Sequence, residues 1–121
     1  MKIKKWNDDY IWFTDGSTIS YDYIQDCCEY NWADFSVLET FYQDEEFEDF
    51  EIIPVDEYGF LLSLKFPTPD PWYYNYTPSK KIFIPCYSDQ NGYYTSDLTI
   101  IIRGPEREPK NIDLNCEVRL D

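Results

Sequence analysis

Apolar and polar residues alternate with period two along several stretches of the chain, and each such stretch predicts a strand. Tyr10 to Thr14 is dense in β-prone side chains, Asp15-Gly16 is a turn signal, and Ser17 to Tyr23 alternates again. Together they predict an N-terminal hairpin. From Asn31 to Tyr42 the spacing changes: Trp32, Phe35, Leu38 and Phe41 or Tyr42 recur every three or four positions. That spacing predicts a short amphipathic helix of about three turns, with Asn31 as its cap. Phe50 to Val55 and Phe60 to Phe66 read as strands joined by a turn at Tyr58-Gly59.

Lys81 to Tyr87 is a further strand, and Pro85 within it points to an edge position or a bulge. Asn91-Gly92 is the strongest hairpin signal in the chain, with Tyr93 to Ile102 as the returning strand. Arg103 to Pro109 reads as a linker and Ile112 to Leu120 as a last strand. Pro67, Pro69, Pro71 and Pro78 bracket Trp72 to Tyr76 and exclude helix or central strand there, which leaves an aromatic loop. The sum is an α+β domain: predominantly antiparallel β-sheet with one or two short helices.

The length of 121 residues fits one domain, spanning 1–121, and is enough to hold a core without staples. Aromatic residues make up 20% of the chain, more than so small a core can hide, so some rings must lie at the surface.

Charge changes the picture more than composition does. The net charge is −14, and it is unevenly spread. Between Trp6 and Leu64 there is no Lys or Arg at all, against sixteen Asp and Glu. Such a half repels nucleic acid and anionic membrane and attracts basic proteins, cationic ligands or divalent metals. The densest acids lie in Gln43 to Glu51, interleaved with Phe47 and Phe50. This run predicts a loop without the ligand spacing of a calcium-binding hand. Its Glu45, Glu46 and Glu48 are candidates for docking a basic partner, and the run could also mimic nucleic-acid phosphates, a solvated face being the plainer reading.

Histidine is absent, which removes His-based acid–base pairs, the usual Ser or Cys triads and His-containing metal sites. No run approaches the roughly 18 apolar residues of a spanning helix. The basic N-terminus lacks a following apolar stretch, so the expected location is the cytoplasm, where thiols stay reduced.

Two polar, cysteine-bearing segments carry the remaining candidate chemistry: Gln25-Asp26-Cys27-Cys28-Glu29 and Cys86 to Tyr94. With Cys86 and Cys116 the adjacent cysteines make four thiols, but neighbouring side chains diverge and none of the four has zinc-site spacing. A nucleophilic thiol needs a nearby cation or base, and Asp26 and Glu29 act the other way. The plainer reading is a small buried hydrophobe. Asp26 and Glu29 have capping-box spacing, and as a carboxylate pair they are one of many in this half. Asp89, Gln90 and Asn91 carry turn chemistry, or they meet Gln25 to Glu29 in space to form a polar pocket. Trp72, Tyr73 and Tyr74 offer a platform for a sugar ring or a protein pocket.

Tyr23-Ile24-Gln25-Asp26-Cys27-Cys28-Glu29, shortly after the Asp-Gly turn, resembles the signature of a small domain family of unassigned function found in bacteria and their phages. Asn91-Gly92-Tyr93-Tyr94-Thr95 is similar to that family's second motif. The family commonly has a histidine where this chain has Tyr23, which favours a structural role for the position. The resemblance implies a phage or prophage setting and no mechanism.

The resulting expectation is a small acidic binding module rather than an enzyme, with no catalytic residue, metal ligand or cofactor assigned. It contacts a protein partner of basic character, and neither nucleic acid nor membrane. The residues expected to carry binding are Gln25, Asp26, Glu29, Glu45, Glu46, Glu48, Trp72, Tyr73, Tyr74, Asp89 and Asn91. The alternatives are sugar or small-ligand binding by the 72–76 loop, and a metal or thiol site at Cys27-Cys28.

Overall fold

The computed structural model describes residues 1–23, 28–67 and 78–120. In chain order, its strands are Ile3–Trp6 (β1), Tyr10–Phe13 (β2), Thr18–Asp22 (β3), Tyr30–Ala33 (β4), Asp49–Val55 (β5), Gly59–Lys65 (β6), Ser79–Gln90 (β7), Asp97–Gly104 (β8), Arg107–Asn115 (β9) and Glu117–Leu120 (β10). Among the described residues, helix is confined to a 3-10 turn at Phe35–Val37 that runs into a single α turn, Leu38–Phe41 (α1). The fold is therefore predominantly antiparallel β-sheet, and α+β describes it only approximately.

Two sheets share one core. The first has the order β1-β2-β3-β8-β9, antiparallel throughout. The second has the order β10-β7-β6-β5, with β4 also pairing to β7. Among the described strands, only β10 runs parallel to its neighbour. Ile11, Ile19 and Ile100 from the first sheet, and Leu62, Leu64 and Ile84 from the second, are fully buried in the same cluster. Phe13 of β2 stacks on Phe50 of β5 across the two sheets, ring centroids 4.1 Å apart.

The N-terminal hairpin forms as expected, closed by Asp15-Gly16 with Gly16 at φ +90, a left-handed angle that suits glycine. Asp15 accepts from Ser17 N at 2.8 Å and Ser17 Oγ at 3.0 Å. Arg107 ties this turn to the other sheet. Its guanidinium lies 3.6 Å from Asp15, 3.2 Å from Asp49 and 4.4 Å from the centroid of the Phe50 ring.

β7 organises the second sheet. Its inward positions, Ile82, Ile84, Cys86, Ser88 and Gln90, are all buried and grade from apolar to polar along the strand. β7 is longer than Lys81 to Tyr87 and it is central rather than an edge. Pro85 is tolerated where β4 ends: its carbonyl accepts from Asp34 N at 2.9 Å. In a strand the N–H points to the same side as the carbonyl of its residue, so the missing donor would face past the end of β4.

Four further expectations are corrected. Asn31 to Tyr42 is not one helix. Its first residues are strand β4, and the helical turns start after Asp34, whose carboxylate accepts from Ser36 N at 3.1 Å. The apolar spacing fits both readings, and pairing with β7 decides between them. Asn91-Gly92 does not close a hairpin, because β7 and β8 lie in different sheets. Gly92, at φ +96, instead turns the chain from one sheet to the other. The next strand starts only at Asp97, since Tyr94 N and Thr95 O bond to the Gln90 side chain and not to a ladder. Arg103 to Pro109 is no linker but the β8–β9 hairpin, with Gly104 opposite Arg107. Ile112 to Leu120 is two strands, separated at buried Cys116 where the chain passes from the first sheet to the second. β1 and β4 are additional to the expected strands.

Candidate functional site

The register of β4 lays Tyr30 to Ala33 along the second cysteine-bearing segment, with Tyr30 opposite Asp89, Trp32 opposite Tyr87 and Ala33 opposite Cys86. Alternation then sends β4 to two different environments.

Asn31 points inward. Its Nδ2 donates to Asp97 O at 3.0 Å, and its Oδ1 accepts from Ser88 Oγ. Gln90 Nε2 donates to Ser88 Oγ at 2.8 Å and to Thr95 O at 3.4 Å, while Gln90 Oε1 accepts from Tyr94 N at 3.0 Å. Asn31, Ser88 and Gln90 are each no more than 1% exposed. This network is internal and satisfied, and it pins the 91–96 connection to both sheets. The second motif thus has a structural use in which Asn91 only accepts from Tyr93 N, at 3.3 Å.

Tyr30 and Trp32 point outward, and an aromatic strip follows from them. Tyr23 meets Tyr30 edge-on at 6.4 Å, Tyr30 lies 6.3 Å from Trp32 at an interplanar angle of 27°, and Trp32 lies 5.0 Å from Tyr87. Asp89 sits at the end of the strip, 3.6 Å from Arg119 of β10, whose guanidinium lies 5.2 Å from the Tyr87 ring.

On one side of the strip is a cavity of about 270 Å³ walled by Tyr21, Tyr30, Trp32 and Phe35, with Asp8, Asp34 and Asp89 among its lining residues. Tyr21 donates to Asp8 O at 2.8 Å. Burial, and then the neighbouring Tyr30 and Asp9, push the Tyr21 hydroxyl well above its ordinary pKa, so it remains a neutral donor. Trp32 Nε1 is buried without an acceptor among the described residues. On the other side, Val37, Phe41, Phe83, Pro85 and Tyr87, with Lys81 beside them, line a mostly apolar groove of about 510 Å³. Tyr30, Phe41 and Phe83 are 48%, 54% and 37% exposed.

The other expected site residues are distributed as follows. Gln25, Asp26, Cys27, Trp72, Tyr73 and Tyr74 lie outside the described residues. Glu29 is buried just before β4, and Cys28 is exposed. Glu45 is half-buried and pairs with Lys80 at 2.8 Å, while Glu46 and Glu48 are exposed. The acidic run is anchored from within, because Phe47 is buried and exchanges backbone hydrogen bonds with Met1. Cys86 and Cys116 are buried against one another, and the hydrogen bond between them, together with burial, pushes the Cys86 thiol far up. Among the described residues, no three His, Cys, Asp or Glu side chains group so as to hold a metal ion. No helix among them is long and apolar enough to cross a membrane.

The cleft is not evident from sequence because the spacing from Asn31 to Tyr42 reads as helix, which takes in Asn31 to Ala33 of β4. Its signal was present: Tyr-Asn-Trp-Ala alternates large aromatic with small or polar residues at period two. No family model, curated protein or solved structure matches this chain.

Proposed function

We propose that the chain is a small acidic binding module that docks a basic protein partner on the outer face of its second sheet. The observation that carries the reading is the aromatic strip from Tyr23 to Tyr87, flanked by a carboxylate-lined cleft and by the groove at Phe41 and Phe83. Exposed aromatics in one patch are typical anchors of protein interfaces. A net charge of −14 favours a partner of opposite sign and speeds its approach. Glu46 and Glu48, exposed on the acidic run, extend the negative field. The phage or prophage setting implied by the two motifs would suit a small module that binds a host protein. A reducing cytoplasm would keep Cys86 and Cys116 as thiols.

The test is quantitative capture from a bacterial lysate, comparing the intact chain with a Phe41→Ser/Phe83→Ser variant. The expected result is a basic protein retained at low salt, released at about 0.5 M salt, and lost in the variant. Equal capture of the same proteins by both chains would remove the proposed face.

A further inference from the structure

The chain meets its own cations in a repeated way. Arg107 lies over Phe50 at 4.4 Å with Asp49 at 3.2 Å, and Arg119 lies over Tyr87 at 5.2 Å with Asp89 at 3.6 Å. Each site combines an aromatic face with a carboxylate beside it, and each is filled by a guanidinium. Lys5 takes only the ring, 4.7 Å from the Trp12 centroid. The same combination occurs a third time in the cleft between β4 and the N-terminal hairpin. Tyr30, Trp32 and Tyr21 supply the faces and Asp8 and Asp34 supply carboxyl groups; Asp89 also lines it but is already met by Arg119 at 3.6 Å, and among the described residues no Lys or Arg is part of the lining.

We infer that this cleft receives an arginine side chain of the partner. The inference rests on the docking reading above and names what that partner must present. The cavity of about 270 Å³ falls just below the usual range for small-molecule pockets and suits one side chain. Asp34 already accepts from Ser36 N and Oγ, which fixes its carboxylate at the cleft wall. Asp8 lies in the β1–β2 connection and is exposed. A neutral ring would gain only from the aromatic faces, whereas a cation gains from both carboxylate and ring. Guanidinium is preferred to ammonium because its plane stacks on Tyr30 or Trp32 while its edge donates to carboxylates.

The experiment is a 1H–15N NMR titration of the whole chain at constant ionic strength. The probes are N-acetyl-arginine amide, its lysine counterpart, the neutral isostere N-acetyl-citrulline amide, and methyl glucoside. The arginine compound is expected to shift the Trp32 indole and Tyr30 amide signals saturably, and the other three are not. Asp8→Asn and Tyr30→Ser, both at exposed positions, should each weaken the response about two- to fivefold with spectral dispersion retained. An equal response to lysine, citrulline or the glucoside overturns the assignment. Arginine-induced shifts confined to Glu46 and Glu48 also overturn it, while the docking reading stands if capture still depends on Phe41 and Phe83. No response to arginine, together with capture indifferent to those phenylalanines, removes both.

Discussion

Gln90 shows how much one side chain can hold. Its amide bonds Ser88, Thr95 and Tyr94, so it fastens the end of β7 to the connection that carries the chain to the other sheet. Gln90→Ala removes three partners at once from a fully buried site. The loss is expected to be about 2–3 kcal/mol, read as a lower urea midpoint with unchanged slope. A loss below about 0.5 kcal/mol would mean that the network does not hold the connection. Asp15 gives a pH-dependent counterpart. Partial burial alone would raise its pKa, but hydrogen bonds from Ser17 and the charge of Arg107 outweigh burial and hold the carboxyl below its usual value. A folded-state pKa below the unfolded one adds stability that is complete above the ordinary Asp range, about 3.9, and is lost as pH falls through the folded value. Asp15→Asn should therefore lower stability at neutral pH and flatten its decline between about pH 5 and pH 2. Parallel curves for variant and parent would exclude this role.

Among the elements, β10 and β6 are opposites. All four residues of β10 are exposed, whereas Leu62 and Leu64 of β6 are fully buried. Amides of β10 are expected to exchange with deuterium well before those of β6, and equal protection would make the chain end part of the cooperative core. The same contrast explains what could be read from sequence. The N-terminal hairpin and the β5–β6 pair were legible because local turn chemistry and alternation agree there. β4 was not, since a strand of four residues inside a helical spacing is decided by its partner β7, whose contact with Asn31 comes from far along the chain. The Asn91-Gly92 turn was legible as a turn, but the sheet to which it delivers the next strand depends on the distant β3–β8 pairing. In the site, Asp89 was anticipated. Trp32 and Tyr30 were not, because their common face exists only once β4 is a strand.

At the scale of the whole molecule, like charges repel over the surface. Raising salt from about 10 mM to about 150 mM, which shortens the screening length to about 8 Å, is expected to raise the melting temperature. A fall would mean that ion pairs such as Lys80–Glu45 outweigh the self-repulsion. The topology is also strongly non-local. Ile19 of β3 pairs with Ile102 of β8, so the first sheet cannot close until most of the chain exists. A ribosome adding about 5–20 residues per second spends several seconds between those two isoleucines. Throughout that interval β3 has one edge open, the condition in which β-sheet precursors aggregate. From Trp6 to Leu64 the emerging chain carries no positive charge. Glu46→Gln, Glu48→Gln and Glu57→Gln together, all at exposed positions, should lower soluble yield in cell-free translation. They should leave the stability of the soluble fraction within about 0.5 kcal/mol, and an unchanged yield would sink the idea. On a polysome, neighbouring unfinished copies of so acidic a chain would repel one another, so the charge of the finished surface would act between molecules during synthesis as a guard against aggregation.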